Sequence, residues 1–126
     1  MKKIINSSKA PAPVGPYNQA ILANGVLYVS GQIAIDPGIN KIVEGDIKAQ
    51  AKQVLENHRA ILKEADMDFT NVVKVSLFIN DMNYFSQVNE VYATYFTNNE
   101  PAREAMEVCK LPLNAAIMIS LIATQD

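Results

Sequence analysis

With 126 residues, 49% of them hydrophobic and 19% charged, the chain has the length and apolar content of one modest domain, 1–126, and no room for a second. A net charge of −2, with eleven Lys and Arg residues scattered along the sequence, supplies no cationic surface for a phosphate backbone, so no nucleic-acid partner is expected. One cysteine and one histidine exclude an internal disulfide and the usual zinc sets; no apolar signal core or bilayer-spanning run is present, and the expected location is cytoplasmic.

In chain order, Lys3 to Asn6 reads as a short strand. The stretch from Ser8 to Pro16 must be an irregular loop, because Pro11, Pro13, Gly15 and Pro16 break both helix and sheet pairing. Gln19 to Ala23 and Val26 to Gly31 flank Asn24-Gly25, a hairpin signal, since both residues tolerate positive φ. After the turn-rich Asp36-Pro37-Gly38-Ile39-Asn40, Lys41 to Val43 can pair briefly. From Asp46, apolar residues at Ile47, Ala51, Val54, Leu55, Ile61, Leu62 and Ala65 recur at helical spacing, with His58 on the same stripe as an expected core or rim residue. Val72 to Ile79 is dense in β-branched residues and predicts a central strand. Asn80 to Asn83 then turns into a second helix whose stripe, from Tyr84 and Phe85 through Val88 and Tyr92 to Phe96, is read as packing rather than a ligand cage. A strand carrying Arg103 follows, then a turn at Leu111 to Asn114 and a last strand from Ala116 to Thr124.

The order β-β-β-α-β-α-β-β predicts an α+β domain, a mostly antiparallel sheet with two helices on one face. On the last strand, Ile117, Ile119, Leu121 and Ala123 fall on one side and belong under the helices. Met118, Ser120, Ile122 and Thr124 fall on the other. That second side is also partly apolar, which predicts burial by self-association into a ring or dimer.

The candidate chemistry centres on Arg103. A guanidinium is planar, permanently charged and forked, so an arginine fixed at a strand entrance can grip a small carboxylate through two parallel hydrogen bonds. The competing reading is a surface ion pair with Glu100, Glu104 or Glu107. Period two puts Glu107 on the side of Arg103 and Ala105, and Glu104 on the other. Cys109 is expected as a small buried hydrophobe rather than a nucleophile.

Gly15-Pro16-Tyr17, Tyr28-Val29-Ser30-Gly31-Gln32, Phe85 to Asn89, Pro101-Ala102-Arg103 and Leu111-Pro112, in this order and at these intervals, resemble the RidA/YjgF family of reactive-intermediate deaminases over essentially the whole chain. The resemblance implies a chorismate-mutase-like fold, a homotrimer with sites between subunits, and hydrolysis of 2-imino acids or their enamine tautomers to 2-keto acids and ammonia without metal or cofactor. It implies that Arg103 holds the substrate carboxylate with the backbone N–H groups of Gly31 and Ala105, and that Tyr17, Ser30 and Asn89 line the cleft, Tyr17 reaching across a subunit boundary. The expected partner is a small 2-imino or 2-keto acid.

Two positions depart from the family pattern. Ala105 stands where many members have cysteine, which costs little if only its backbone is used. Met118 stands where the deaminase pattern has a glutamate that orients the attacking water, and Ser120 replaces another two residues on. A thioether carries no exchangeable proton, and general-base assistance is worth about 10²- to 10⁴-fold, so slower turnover or altered specificity is expected. The alternative is a non-catalytic trimer that binds a small carboxylate as a sensor or partner protein. Ribonuclease and holdase roles are further classes; the acidic balance argues against the first, and nothing in the sequence speaks to the second.

Overall fold

The computed structural model describes residues 1–126. Eight strands and two α-helices follow one another as β1 (Lys2–Ile5), β2 (Ala20–Ala23), β3 (Val26–Gln32), β4 (Ile35–Asp36), β5 (Lys41–Ile42), α1 (Ile47–Glu64), β6 (Val72–Ile79), α2 (Phe85–Tyr95), β7 (Ala102–Glu107) and β8 (Ile117–Thr124). Six strands form one sheet in the order β1-β2-β3-β8-β6-β7, antiparallel throughout except for the parallel pair β6 and β7. That exception has a simple cause: a helix lies between the two strands, and a crossover of this kind returns the chain in its original direction. The α+β reading with two helices on one face holds.

Local chemistry accounts for the element ends. Asn24 and Gly25 adopt φ of 51° and 75°, which turns β2 tightly into β3. The Asp46 carboxylate accepts from the Ala49 N–H at 3.0 Å and caps α1. Two expectations are refined. Lys41–Ile42 does pair, but with Ile35–Asp36 in a separate ribbon rather than with the main sheet. Asp81 caps a short 3-10 turn, Met82–Tyr84, and α2 starts after it at Phe85 without a side-chain cap of its own.

The core lies between sheet and helices. Leu27, Val75, Leu77, Ile79, Ile117 and Ile119 are fully buried against Val54, Leu55, Ile61 and Leu62 of α1. The strict alternation of β8, buried then half-buried along its length, follows the period-two reading. The opposite sheet face carries no helix. Cross-strand register places Ile21, Tyr28, Ile122, Lys74 and Ala102 in one row, Ser120, Ser76 and Glu104 in the next, and Met118, Phe78 and Met106 in a third. Tyr28, on the interior strand β3, is 51% exposed, and Met106, on the edge strand β7, is 40% exposed, large fractions for side chains of this size.

Candidate active site

Arg103 sits at the second position of β7, the outermost strand on its side of the sheet. Its register partner is Val75, and beyond it Leu121, so its side chain is on the helix side. There α2 meets it with one face: Phe85, Asn89 and Tyr92 fall four and then three residues apart, the spacing that stacks side chains along a helix. Arg103 Nη1 donates to Asn89 Oδ1 at 2.7 Å. The guanidinium carbon lies 4.7 Å from the Tyr92 ring centre and 5.3 Å from that of Phe85. None of the three ion pairs in the structure involves Arg103, so the surface-pair reading with Glu100, Glu104 or Glu107 is not what the geometry shows.

The acidic neighbours are occupied elsewhere. Glu104, on the open face, accepts from Ser76 Oγ at 2.6 Å and pairs with Lys74 at 3.7 Å; the hydroxyl and then the ammonium hold its carboxyl below the ordinary range. Glu107 shares the side of Arg103 and Ala105, as its parity predicts, but accepts the Met82 N–H at 2.7 Å at the entrance to the turn before α2. Cys109 corrects an expectation: it is exposed, because β7 ends at Glu107 and the chain then leaves the sheet.

A second group of site candidates gathers at the two central strands of the sheet, β3 and β8. Tyr17, Gly31, Ile33, Pro112, Leu113 and Met118 line a mainly apolar cavity of about 430 Å³. Three features build it. The ladder between β3 and β8 breaks between Val29 and Gln32, a bulge that lifts Gly31 out of register. Leu113 and Asn114, both with φ of 55°, swing the loop before β8 over the opening. Met118 rises from β8 beneath Gly31, and a Cβ on Gly31 would lie 2.8 Å from the Met118 sulfur, so a larger residue there would displace the flexible thioether from its present position. Ser30 is adjacent, but its Oγ already donates to the Asn18 carbonyl at 2.7 Å.

Arg103 and Asn89, with Ala105 on the same side of β7, thus form one candidate half-site, and Tyr17, Gly31 and Met118 another, with Ser30 at its margin. Within one chain the halves do not meet. β8 and β6 intervene between β3 and β7, which puts Gly31 and Arg103 about 14 Å apart across the sheet, and Met118 and Arg103 leave it on opposite faces. A wider groove of about 600 Å³ between α1 and α2, lined by Lys48, Lys52, Arg59 and Tyr95, leaves Lys52 as the one of its three cations without an ion pair, since Lys48 pairs with Glu90 and Arg59 with Glu56.

Sequence reasoning missed two supports of these half-sites. Gln19, 1% exposed, holds the proline-rich loop that carries Tyr17: its Nε2 donates to the carbonyls of Ser7 and Pro11 at 3.0 and 2.8 Å, and its Oε1 accepts the Ser7 N–H at 2.6 Å. Asn57 of α1, also buried, donates through Nδ2 to the carbonyls of Ile33 and Ile35 at 3.2 and 2.9 Å, fixing the segment beside the cavity. A polar residue on an apolar stripe was the only signal for Asn57, and Gln19 gave none.

Comparison with known proteins agrees with this architecture. The model of the family described as endoribonuclease L-PSP matches residues 7–125. The chain belongs to this family, the RidA/YjgF family. A RutC family protein of Pyrococcus horikoshii is 49% identical to this RidA/YjgF chain over 126 residues, 100% of both sequences. A rat protein named 2-iminobutanoate/2-iminopropanoate deaminase is 49% identical over 125 residues, covering 99% of this chain and 91% of the rat sequence. The crystal structure of a Rid family protein from Yersinia pestis superposes with a TM-score of 0.96 at 45% identity, over 98% of this chain and 99% of that one. The RidA/YjgF chain has the chorismate-mutase-like fold of these relatives. No helix is long and apolar enough to cross a membrane, and no group of three or more His, Cys, Asp or Glu side chains is placed to hold a metal ion.

Proposed function

We propose that this chain hydrolyses 2-imino acids, or their enamine tautomers, to 2-keto acids and ammonia, in a homotrimer whose clefts join the Arg103 half-site of one subunit to the Tyr17–Gly31–Met118 half-site of a neighbour. The observation that carries this reading is the state of Arg103: a cation held by an amide oxygen and two rings, with no carboxylate spent on it. Such a cation is available to a ligand carboxylate, and the names of the mammalian relatives supply the reaction.

The chemistry asks little more. Water oxygen adds to the carbon of the protonated imine and one water proton passes to the nitrogen; the carbon–nitrogen bond then breaks to release ammonia while the oxygen lone pair closes the keto group and the second water proton is lost to solvent or to the ammonia. The protein's task is to fix the carboxylate, aided by the Gly31 and Ala105 backbone N–H groups, and to shelter the electrophilic carbon between Tyr17 and Met118. Met118 supplies no proton acceptor of the kind a carboxylate would, so turnover below that of glutamate-bearing relatives is expected, by up to about 10²- to 10⁴-fold. The apolar lining of the cavity favours larger side chains on the imine. Net charge −2 gives an RNA backbone little to bind, which weighs against a ribonuclease.

The test is keto-acid release from imines generated in situ by an amino-acid oxidase, for side chains of increasing length. Acceleration by the parent that disappears in Arg103→Ala supports the deaminase. Inactivity in the parent with activity in Met118→Glu means a built cleft without its base, which is the second reading: a carboxylate-binding trimer, favoured by the thioether packed on Gly31. A rate that falls steadily with side-chain length would rule out the size preference.

A further inference from the structure

We infer that Tyr92, with Phe85, is a positioning residue for Arg103, a ring seat that fixes the guanidinium while leaving its charge unneutralised. This inference rests on the reading that Arg103 grips a carboxylate.

An arginine at an exposed strand edge loses side-chain entropy when it is ordered, and proteins usually offset that loss with a carboxylate partner, which also cancels much of the charge. Here every partner of the guanidinium is neutral. The Asn89 oxygen takes one Nη1 hydrogen, which fixes the rotation of the fork. The rings of Tyr92 and Phe85, 4.7 and 5.3 Å from the guanidinium carbon, attract it through their quadrupoles. Neutral partners hold geometry and leave the field of the cation intact for an incoming anion.

It is the ring of Tyr92, and not its hydroxyl, that matters. The residue is 7% exposed, and its hydroxyl is buried with no hydrogen-bond partner. A buried hydroxyl with no partner contributes nothing favourable. The ring is itself held by stacking on Phe96, with centres 4.4 Å apart, and Phe96 meets Phe69 edge-on at 5.2 Å. The seat is therefore continuous with the packed core, which gives it the rigidity that positioning requires. The aromatic stripe of α2 serves as packing on one side and as a cation seat on the other.

The experiment compares binding of a 2-keto acid, 2-oxobutanoate, with that of its neutral ethyl ester by calorimetry, alongside KM and kcat for the corresponding imine. In Tyr92→Leu the acid should bind roughly tenfold more weakly and KM should rise with kcat little changed, while the ester is unaffected; the conservative Tyr92→Phe should restore the parent values. Phe85→Leu, at a half-buried position, should show the same split more weakly, and carries the test if Tyr92→Leu does not fold. Equal loss for acid and ester, or failure of Tyr92→Phe to restore, would overturn the seat. If Arg103→Ala loses the acid while Tyr92→Leu and Phe85→Leu keep it, the seat alone fails. If Arg103→Ala keeps the acid, the carboxylate-grip reading fails and the seat falls with it.

Discussion

His58 illustrates how burial decides a residue's chemistry. It is fully buried on the sheet side of α1, with Nε2 2.6 Å from the Ile119 carbonyl oxygen and Nδ1 without a partner. A carbonyl can only accept, so Nε2 carries the hydrogen, and burial without a partner at Nδ1 keeps the ring neutral. Burial, opposed by that hydrogen bond, lowers its pKa to about 4, against about 6.5 in an unfolded chain. The folded pKa is below the unfolded one, so protonation favours unfolding. The contribution is complete above about pH 6.5 and is lost as pH falls toward 4, a difference of about 3 kcal/mol. Urea midpoints measured from about pH 7.5 down to pH 4.5 should show that loss, and His58→Gln should flatten the profile. An unaltered slope in the variant would assign the acid sensitivity to other groups. Arg103 is the contrasting case: its residue type and its place at a strand entrance were legible in the sequence, but whether it paired with a neighbouring glutamate depended on what α2 laid against it.

At the scale of elements, the proline-rich loop between β1 and β2 shows what pattern reading leaves out. Prolines and glycine told where regular structure stops, but they do not say what orders the loop. Gln19 does, using its amide as a substitute for missing sheet partners. Gln19→Ala would leave the Ser7 N–H and the Pro11 carbonyl without their partners and the Ser7 carbonyl with only the Ala10 N–H, at a cost of about 2–4 kcal/mol. The expected outcome is a lower thermal midpoint together with faster hydrogen exchange at the Ser7 amide, while amides of β6 and β8 lose protection only through the global term. Exchange that rises equally everywhere would show that the loop has no local dependence on Gln19. The long helix α1 and the strands β6 and β8 were legible for the opposite reason: their periodic burial is a property of adjacent residues. The brief pairing at Lys41 was foreseen, but its partner was not, because a two-residue ribbon has no periodicity to read.

For the whole molecule, the distinctive surface is the unhelixed sheet face. Ile122 and Met118 lie half-buried among Tyr28 and Met106, with Ser120, Thr124 and the Lys74–Glu104–Ser76 group as polar contents, and Met118 is on this face while Arg103 is on the other. Covering that face with copies of the same chain would remove the apolar surface and, in the proposed trimer, would complete the cleft with a neighbour's residues, so we expect assembly and site completion to be inseparable. Tyr28→Glu, a charge in the middle of that face, should therefore reduce the mass measured by light scattering from that of the proposed trimer to that of one chain and remove keto-acid binding with it. A monomer that still binds would separate the two.

The sequence by itself determined the alternation of β8, the amphipathic faces of both helices, the Asn24-Gly25 hairpin and the α+β order, because each depends on neighbours a few residues away. It also carried the family resemblance, through residue types at fixed intervals. Only the tertiary structure decided that Arg103 rests on Phe85, Asn89 and Tyr92, that Met118 packs under Gly31, that Cys109 is exposed, and that the two half-sites lie apart. Those facts depend on which strands become neighbours and on the order of the sheet, and contacts between residues far apart in the chain leave no periodic trace in it.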